Sequence, residues 1–253
     1  MTRKLNASQP IELVSTFLGA HAVPPEYKGR SKAFLDFLLK EVMPVVKKEN
    51  LAEFCDIFCE EGVFSVDESR QYLKKAREMG FKLKIHADEI VSLGGSELAG
   101  ELKATSADHL LHASDAGIKA MAENGVVSTL LPTTAFCLRE PFARAREMID
   151  AGCAVALATD FNPGSGFTFS VPLMLGLAVI YMHMTAEEAI TALTLNGAAA
   201  VGRADRIGSI EVGKQADLTI LQYPSYKFLP YHTGVNIVEK VIKKGELVHT
   251  ASV

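Results

Sequence analysis

A chain of 253 residues, 48% hydrophobic and 22% charged, has the proportions of an ordinary globular protein and is long enough for one barrel domain or two modest ones. Its net charge of −4 and the lack of any basic stretch argue against a nucleic-acid partner, and no apolar run approaches the ~20 residues of a membrane-spanning helix. Residues 1–6 have no apolar core behind their basic side chains, so a secretory signal is not expected and a cytoplasmic location is; the four cysteines form no Cys-x-x-Cys pair and are expected reduced and mostly buried.

Residues 11–19 are rich in β-formers and lead into Ala20-His21-Ala22-Val23-Pro24-Pro25, where two prolines stop any regular element. The spacing of Phe34, Phe37, Leu38, Val42 and Val45 predicts a helix over 31–48. Residues 54–59 read as a strand running into Glu60-Glu61-Gly62, and 66–79 as a helix ended by Gly80. A strand over 83–86 is followed by a loop at Gly94-Gly95, a helix over 96–102 and a short strand at His109. Ser114 caps a helix over 114–124, with Gly125 just past its end. Residues 126–131 form a strand closing on Pro132-Thr133-Thr134, 142–151 a helix, and 154–159 the strand that delivers Asp160. The glycines and proline of Phe161-Asn162-Pro163-Gly164-Ser165-Gly166 allow a ligand to approach the backbone closely. Helices are expected over 171–182 and 185–201, the second opening on the capping pattern Thr185-Ala186-Glu187-Glu188. Beyond about residue 205 the composition turns β-rich, with strands expected within 207–221, over 235–242 and over 246–248, so a domain boundary is placed there.

Strand and helix alternate through the first two hundred residues, which predicts an α/β fold with a parallel sheet. His86 ends one strand, with Glu89 three residues later; His109 and Asp160 end two others. The carboxyl ends of successive parallel strands share one mouth, where a (β/α) barrel keeps its chemistry. Imidazoles and carboxylates gathered there suit a catalytic metal that activates water, although any one of them alone could be a polar cap. Only six barrel strands can be counted, ending near residues 20, 59, 86, 109, 131 and 159, whereas a closed barrel of this kind has eight.

Several of these segments resemble the amidohydrolase superfamily and, within it, the imidazolonepropionases of histidine degradation. They are Ser15-Thr16-Phe17-Leu18-Gly19-Ala20-His21-Ala22-Val23-Pro24-Pro25, Phe54-Cys55-Asp56-Ile57-Phe58-Cys59-Glu60-Glu61-Gly62, His86-Ala87-Asp88-Glu89, Ser106-Ala107-Asp108-His109-Leu110-Leu111 and Thr159-Asp160-Phe161-Asn162-Pro163-Gly164. The tail Gly208-Ser209-Ile210-Glu211-Val212-Gly213-Lys214-Gln215-Ala216-Asp217-Leu218 is similar to the superfamily's return into a small β-sandwich. The resemblance implies a TIM-type (β/α)8 barrel, incomplete at its N-terminal side, over residues 1–205, and part of the sandwich over 206–253. It implies hydrolysis of a ring C–N bond of 4-imidazolone-5-propanoate, a small-molecule substrate, to N-formimidoyl-L-glutamate with the help of one zinc or iron ion. His86 and Asp160 would be metal ligands, with Asp160 also accepting a proton. Glu89 would be the acid/base in contact with substrate, and a protonated His109 would stabilise the developing oxyanion. His21, Asn162, Gly164 and Ser165 would contact the substrate.

The His-x-His pair with which amidohydrolases begin is absent from this sequence, so it reads as the C-terminal portion of such an enzyme. Weak metal binding is therefore expected of the chain alone, along with either poor solubility or a homodimer covering the open side. Two other functions fit the same residues: another amidohydrolase or deaminase of a small heterocycle, and a truncated, inactive domain.

Overall fold

The computed structural model describes residues 1–251. Helix α1 (Thr2–Ser8) precedes strand β1 (Thr16–Ala20), a 3-10 turn at Pro25–Tyr27, α2 (Ser31–Phe37), a π-helical turn at Leu38–Val42 and α3 (Met43–Lys48). There follow β2 (Phe54–Cys59), α4 (Val66–Glu78), β3 (Lys82–Ala87), α5 (Gly95–Glu101), β4 (Ser106–His109) and α6 (Asp115–Asn124). Next come β5 (Val127–Leu130), α7 (Pro132–Leu138), α8 (Ala145–Asp150), β6 (Val155–Leu157), α9 (Val171–Tyr181), α10 (Ala186–Leu193) and α11 (Leu195–Ala200). The remaining elements are β7 (Leu218–Leu221), α12 (Phe228–Tyr231), β8 (Val238–Lys243) and β9 (Glu246–Thr250).

One sheet has the order β1-β2-β3-β4-β5-β6, and a second has the order β7-β8-β9. Neighbours β1 to β4 pair in parallel, and helices fill the crossovers that parallel neighbours need. This consecutive order is that of a (β/α) barrel. No helix of the described residues is long and apolar enough to cross a membrane.

The chain divides into two compact units: Val14–Ser128 with Met148–Ala154, and Met1–Leu13, Thr129–Glu147 and Val155–Val253. In the first, β2 is an almost wholly buried strand, and α4 turns Tyr72, Leu73 and Ala76 inward at helical spacing. A capping box starts α4: the Ser65 hydroxyl accepts the Glu68 N–H, and the Glu68 carboxylate accepts the Ser65 N–H. Helices α5 and α6 touch through glycine, since a Cβ on Gly100 would lie 2.7 Å from the backbone of Ala120. Replacing Gly100 by alanine is therefore expected to destabilise the protein by about 1–3 kcal/mol. A melting temperature equal to that of the wild type would show that the two helices can separate without cost.

In the second unit, β7, β8 and β9 pair antiparallel. Arg146 donates twice to Glu188, at 2.9 Å each, and Glu188 completes the capping box of α10 with Thr185. The helix expected over 185–201 is two helices. Thr194 leaves the helical region at φ −103°, ψ −83°, and its hydroxyl turns back to the Ile190 carbonyl at 2.7 Å. Pro132 opens a helix, α7, where an irregular stop was expected, because its fixed φ and missing N–H suit a first helical turn. Cys55, Cys59 and Cys153 are buried thiols and Cys137 is exposed.

Candidate active site

Parallel register places Phe58 of β2, His86 of β3 and Asp108 of β4 side by side, and side chains in one such row share a face of the sheet. Asp56, two residues before Phe58, projects on the same face; its Oδ1 lies 2.9 Å from His86 Nδ1. That bond fixes the imidazole's orientation and leaves Nε2 as the ring nitrogen that could serve a ligand. Asp108 accepts the Ser106 hydroxyl at 2.9 Å, and Ser106 accepts from Lys84 Nζ at 2.7 Å. The buried Lys84 stem also lies over Phe54, with Nζ 5.1 Å from the ring centre.

His109 follows Asp108, so strict alternation would send its side chain to the opposite face. It does not go there. The strand ends with His109 and Leu110 both left-handed, at φ +75° and +62°, and the His109 ring centre comes to 5.1 Å from that of His86. Two consecutive non-glycine residues in this region are costly, by roughly 1–3 kcal/mol each, and such strain collects at working sites. His21 joins the group from the segment after β1: it stacks on Phe58 and meets His86 edge-on, with ring centres 5.3 Å apart in both contacts. Glu89 Oε1 lies 3.3 Å from His109 Nδ1. The contact lacks hydrogen-bond alignment, so Nδ1 is a buried ring nitrogen with no hydrogen-bond partner. Four of the expected residues, His21, His86, Glu89 and His109, thus converge within the first unit.

The two central imidazoles are driven in opposite directions. Burial pulls the His86 pKa down, but the charge and hydrogen bond of Asp56, helped by Asp108 and Glu89, outweigh it and raise the value to about 9. For His109 burial dominates, and the charges of His86 and His21 add to it against Asp108, holding it down to about 3. This direction favours the neutral form of the His109 imidazole.

The stability consequence has two signs. His86, raised above its ordinary 6.5, contributes stability that is full below that pH and lost as pH rises through about 9. His109, lowered from 6.5, contributes stability that is full above that pH and lost as pH falls through about 3. In chelator-treated protein, His86→Gln should flatten the decline in melting temperature between pH 6.5 and about 9 and also ease the acid-side loss, because the charge of His86 is one of the causes that hold His109 down. An unchanged alkaline decline in the variant would remove His86 as its cause.

In the second unit, Asp160 sits at φ +49° and its Oδ2 accepts the Thr134 hydroxyl at 2.8 Å. Thr133 donates to the Thr159 carbonyl at 2.7 Å. Asn162 Oδ1 accepts the N–H groups of Gly164 and Ser165, both at 2.8 Å, and its Nδ2 donates to the Asp160 carbonyl and the Ser165 hydroxyl, both at 2.9 Å. The expected residues Asp160, Asn162, Gly164 and Ser165 therefore form one self-bonded turn.

Sequence reading does not single out Asp56, Asp108, Lys84, Ser106, Glu60 or Thr134 as functional, yet Asp56, Glu60 and Thr134 bond to His86, Glu89 and Asp160, and Lys84, Ser106 and Asp108 form a chain that ends beside His109. A divalent cation suits the donors of the first unit: Asp56, His86 and Asp108 each bring a ligand atom within 4.8 Å of the others. Asp56 engages His86 Nδ1 and so supports that imidazole from behind, while Asp108 accepts from Ser106 on one of its oxygens.

A profile of the amidohydrolase family matches residues 52–248, and the chain belongs to that family. An imidazolonepropionase of Clostridium tetani is 67% identical over 249 residues, 98% of this chain and 59% of the relative's length. An imidazolonepropionase of Parabacteroides distasonis is 64% identical over 243 residues, 96% of this chain and 58% of its own length. The chain thus spans rather less than two thirds of these curated relatives. In fold it is similar to the crystal structure of an adenosine deaminase from Xanthomonas campestris with bound zinc. That likeness has a TM-score of 0.72 at 20% identity and covers 96% of this chain and 62% of the other.

Proposed function

We propose that this chain carries the reaction machinery of an imidazolonepropionase: water opens the ring of 4-imidazolone-5-propanoate to give N-formimidoyl-L-glutamate. The observation that carries the reading is identity of 62–67%, over nearly the whole chain, to curated proteins of that name. The water oxygen bonds to a ring carbon, the C–N bond breaks, and the departing nitrogen takes a proton. His86 would hold one zinc or iron ion through Nε2, with Asp56 orienting the ring, and Asp160 is proposed as a further ligand from its sequence motif. When bound, such an ion supplies Lewis acidity and lowers the pKa of water.

Glu89 takes the proton from water and returns it to the leaving nitrogen, a task for which a carboxylate beside a neutral imidazole is suited. His109 binds the substrate oxygen by hydrogen bonding, and His21, on its Phe58 platform, packs against the substrate. Asn162, Gly164 and Ser165 are proposed as substrate contacts. Residues 1–205 are read as the barrel portion and 206–253 as part of the small β-sandwich. The test is an assay of the zinc- or iron-loaded protein on imidazolonepropanoate, cytosine and guanine. Turnover of imidazolonepropanoate alone is expected, and exclusive turnover of a nucleobase would overturn the reading.

A further inference from the structure

Two buried carboxylates hold the segment between β3 and α5. Glu60, just beyond β2 and 1% exposed, accepts backbone N–H groups from Glu61 at 2.9 Å, Glu89 at 3.0 Å, Ile90 at 2.8 Å and Val91 at 3.3 Å. Asp88, fully buried, accepts those of Leu93, Gly94 and Gly95 at 3.0 Å each, that of Ser96 at 2.9 Å, and the Ser96 hydroxyl at 2.5 Å. Their tasks divide along the chain. Asp88 gathers the loop that opens α5, whereas the three amides that Glu60 takes from this segment begin at Glu89 itself. Glu60 is in turn fixed by its own backbone: its N–H donates to the Phe64 carbonyl at 3.1 Å, and its carbonyl accepts from Val63 at 3.1 Å.

A carboxylate that must serve both an attacking water and a leaving nitrogen loses rate steeply when it is misplaced. The two glutamates are about thirty residues apart in sequence, and this buried acceptor ties the main chain of one to the end of a neighbouring strand. We propose that Glu60 is a positioning residue for Glu89. It acts by fixing the backbone from which the Glu89 side chain reaches His109, and the inference rests on the acid/base role proposed for Glu89. Glutamine at position 60 keeps the size of the side chain but has one acceptor oxygen for amides that divide between Oε2 (Glu89, Ile90) and Oε1 (Glu61, Val91), so one pair must face an N–H2.

The experiment is a double-mutant cycle on metal-loaded protein, paired with amide hydrogen exchange. Glu60→Gln should lower kcat by about 10–100-fold, with KM changed less than about threefold and metal content unchanged. In a Glu89→Gln background the same change should cost less than about threefold, because its effect passes through Glu89. An equal loss in both backgrounds would overturn the inference and leave the proposed function standing. A silent Glu89→Gln would remove the acid/base assignment and this inference with it. Exchange at residues 89–91 should quicken in Glu60→Gln while residues 93–96, held by Asp88, keep their protection; unchanged protection at 89–91, or loss throughout the protein, would overturn the inference even where turnover cannot be read. Glu60→Asp, which keeps the charge and shortens the reach, gives the same two readouts if the glutamine variant does not fold.

Discussion

In a complete enzyme built on this sequence, replacing Glu89 by glutamine is expected to lower turnover of imidazolonepropanoate by about 10²–10⁴-fold while metal content stays the same. Glutamine fills the same space and can still touch His109, but it cannot take up or release a proton at neutral pH. The 3.3 Å contact between the two side chains lacks hydrogen-bond alignment, so the change removes no hydrogen bond between them. Loss of activity with loss of metal would instead place Glu89 among the ligands. Full activity would reduce Glu89 to a loop carboxylate. Steady-state kinetics with metal analysis on the same preparation separates the three results.

Asp56→Asn should weaken zinc binding by about 10–100-fold, the effect usual for removing a carboxylate behind a metal-bound histidine. An asparagine oxygen can still accept from Nδ1, but it brings no charge to make the ring a stronger donor or to set its tautomer. Asp56 is only 2% exposed, so solvent cannot replace it. Competition titration against a zinc chelator measures the shift directly. Wild-type affinity in the variant would mean that Asp56 serves the strand rather than His86.

Most strands of the first sheet are legible because they are short apolar runs bounded by glycine, proline or a charged loop; β4, Ser106–His109, is mostly polar and is legible only as the segment carrying His109. The break at Thr194 is less so: Asn196-Gly197 just beyond it weakens the helical pattern, but Thr191 bonds back to its own helix in the same way without breaking it, so residue type alone does not place the break. In the site, His86 and Glu89 stand out because they end an apolar run. Asp56 carried a fainter signal, one carboxylate inside the buried strand Phe54–Cys59, but its partner lies thirty residues on and only strand register brings the two together. His109 was legible as a residue but not as a position, since alternation along β4 points it away. Only the left-handed backbone at His109 and Leu110 brings it back, and neither residue type announces that conformation.

The grip on the segment from Glu89 to Ser96 is applied entirely to its main chain and to one hydroxyl. Its outline is therefore indifferent to most of the side chains it carries. Ile90 is 60% exposed and could be exchanged for any residue except proline without disturbing these bonds, because its N–H would still reach Glu60. Chemistry and appearance are uncoupled there. Descendants of this chain can alter the surface at Ile90 while the main chain of Glu89 stays where it is, and substitutions at Ile90 other than proline that left melting temperature and amide protection at 89–91 in place would show that freedom at work.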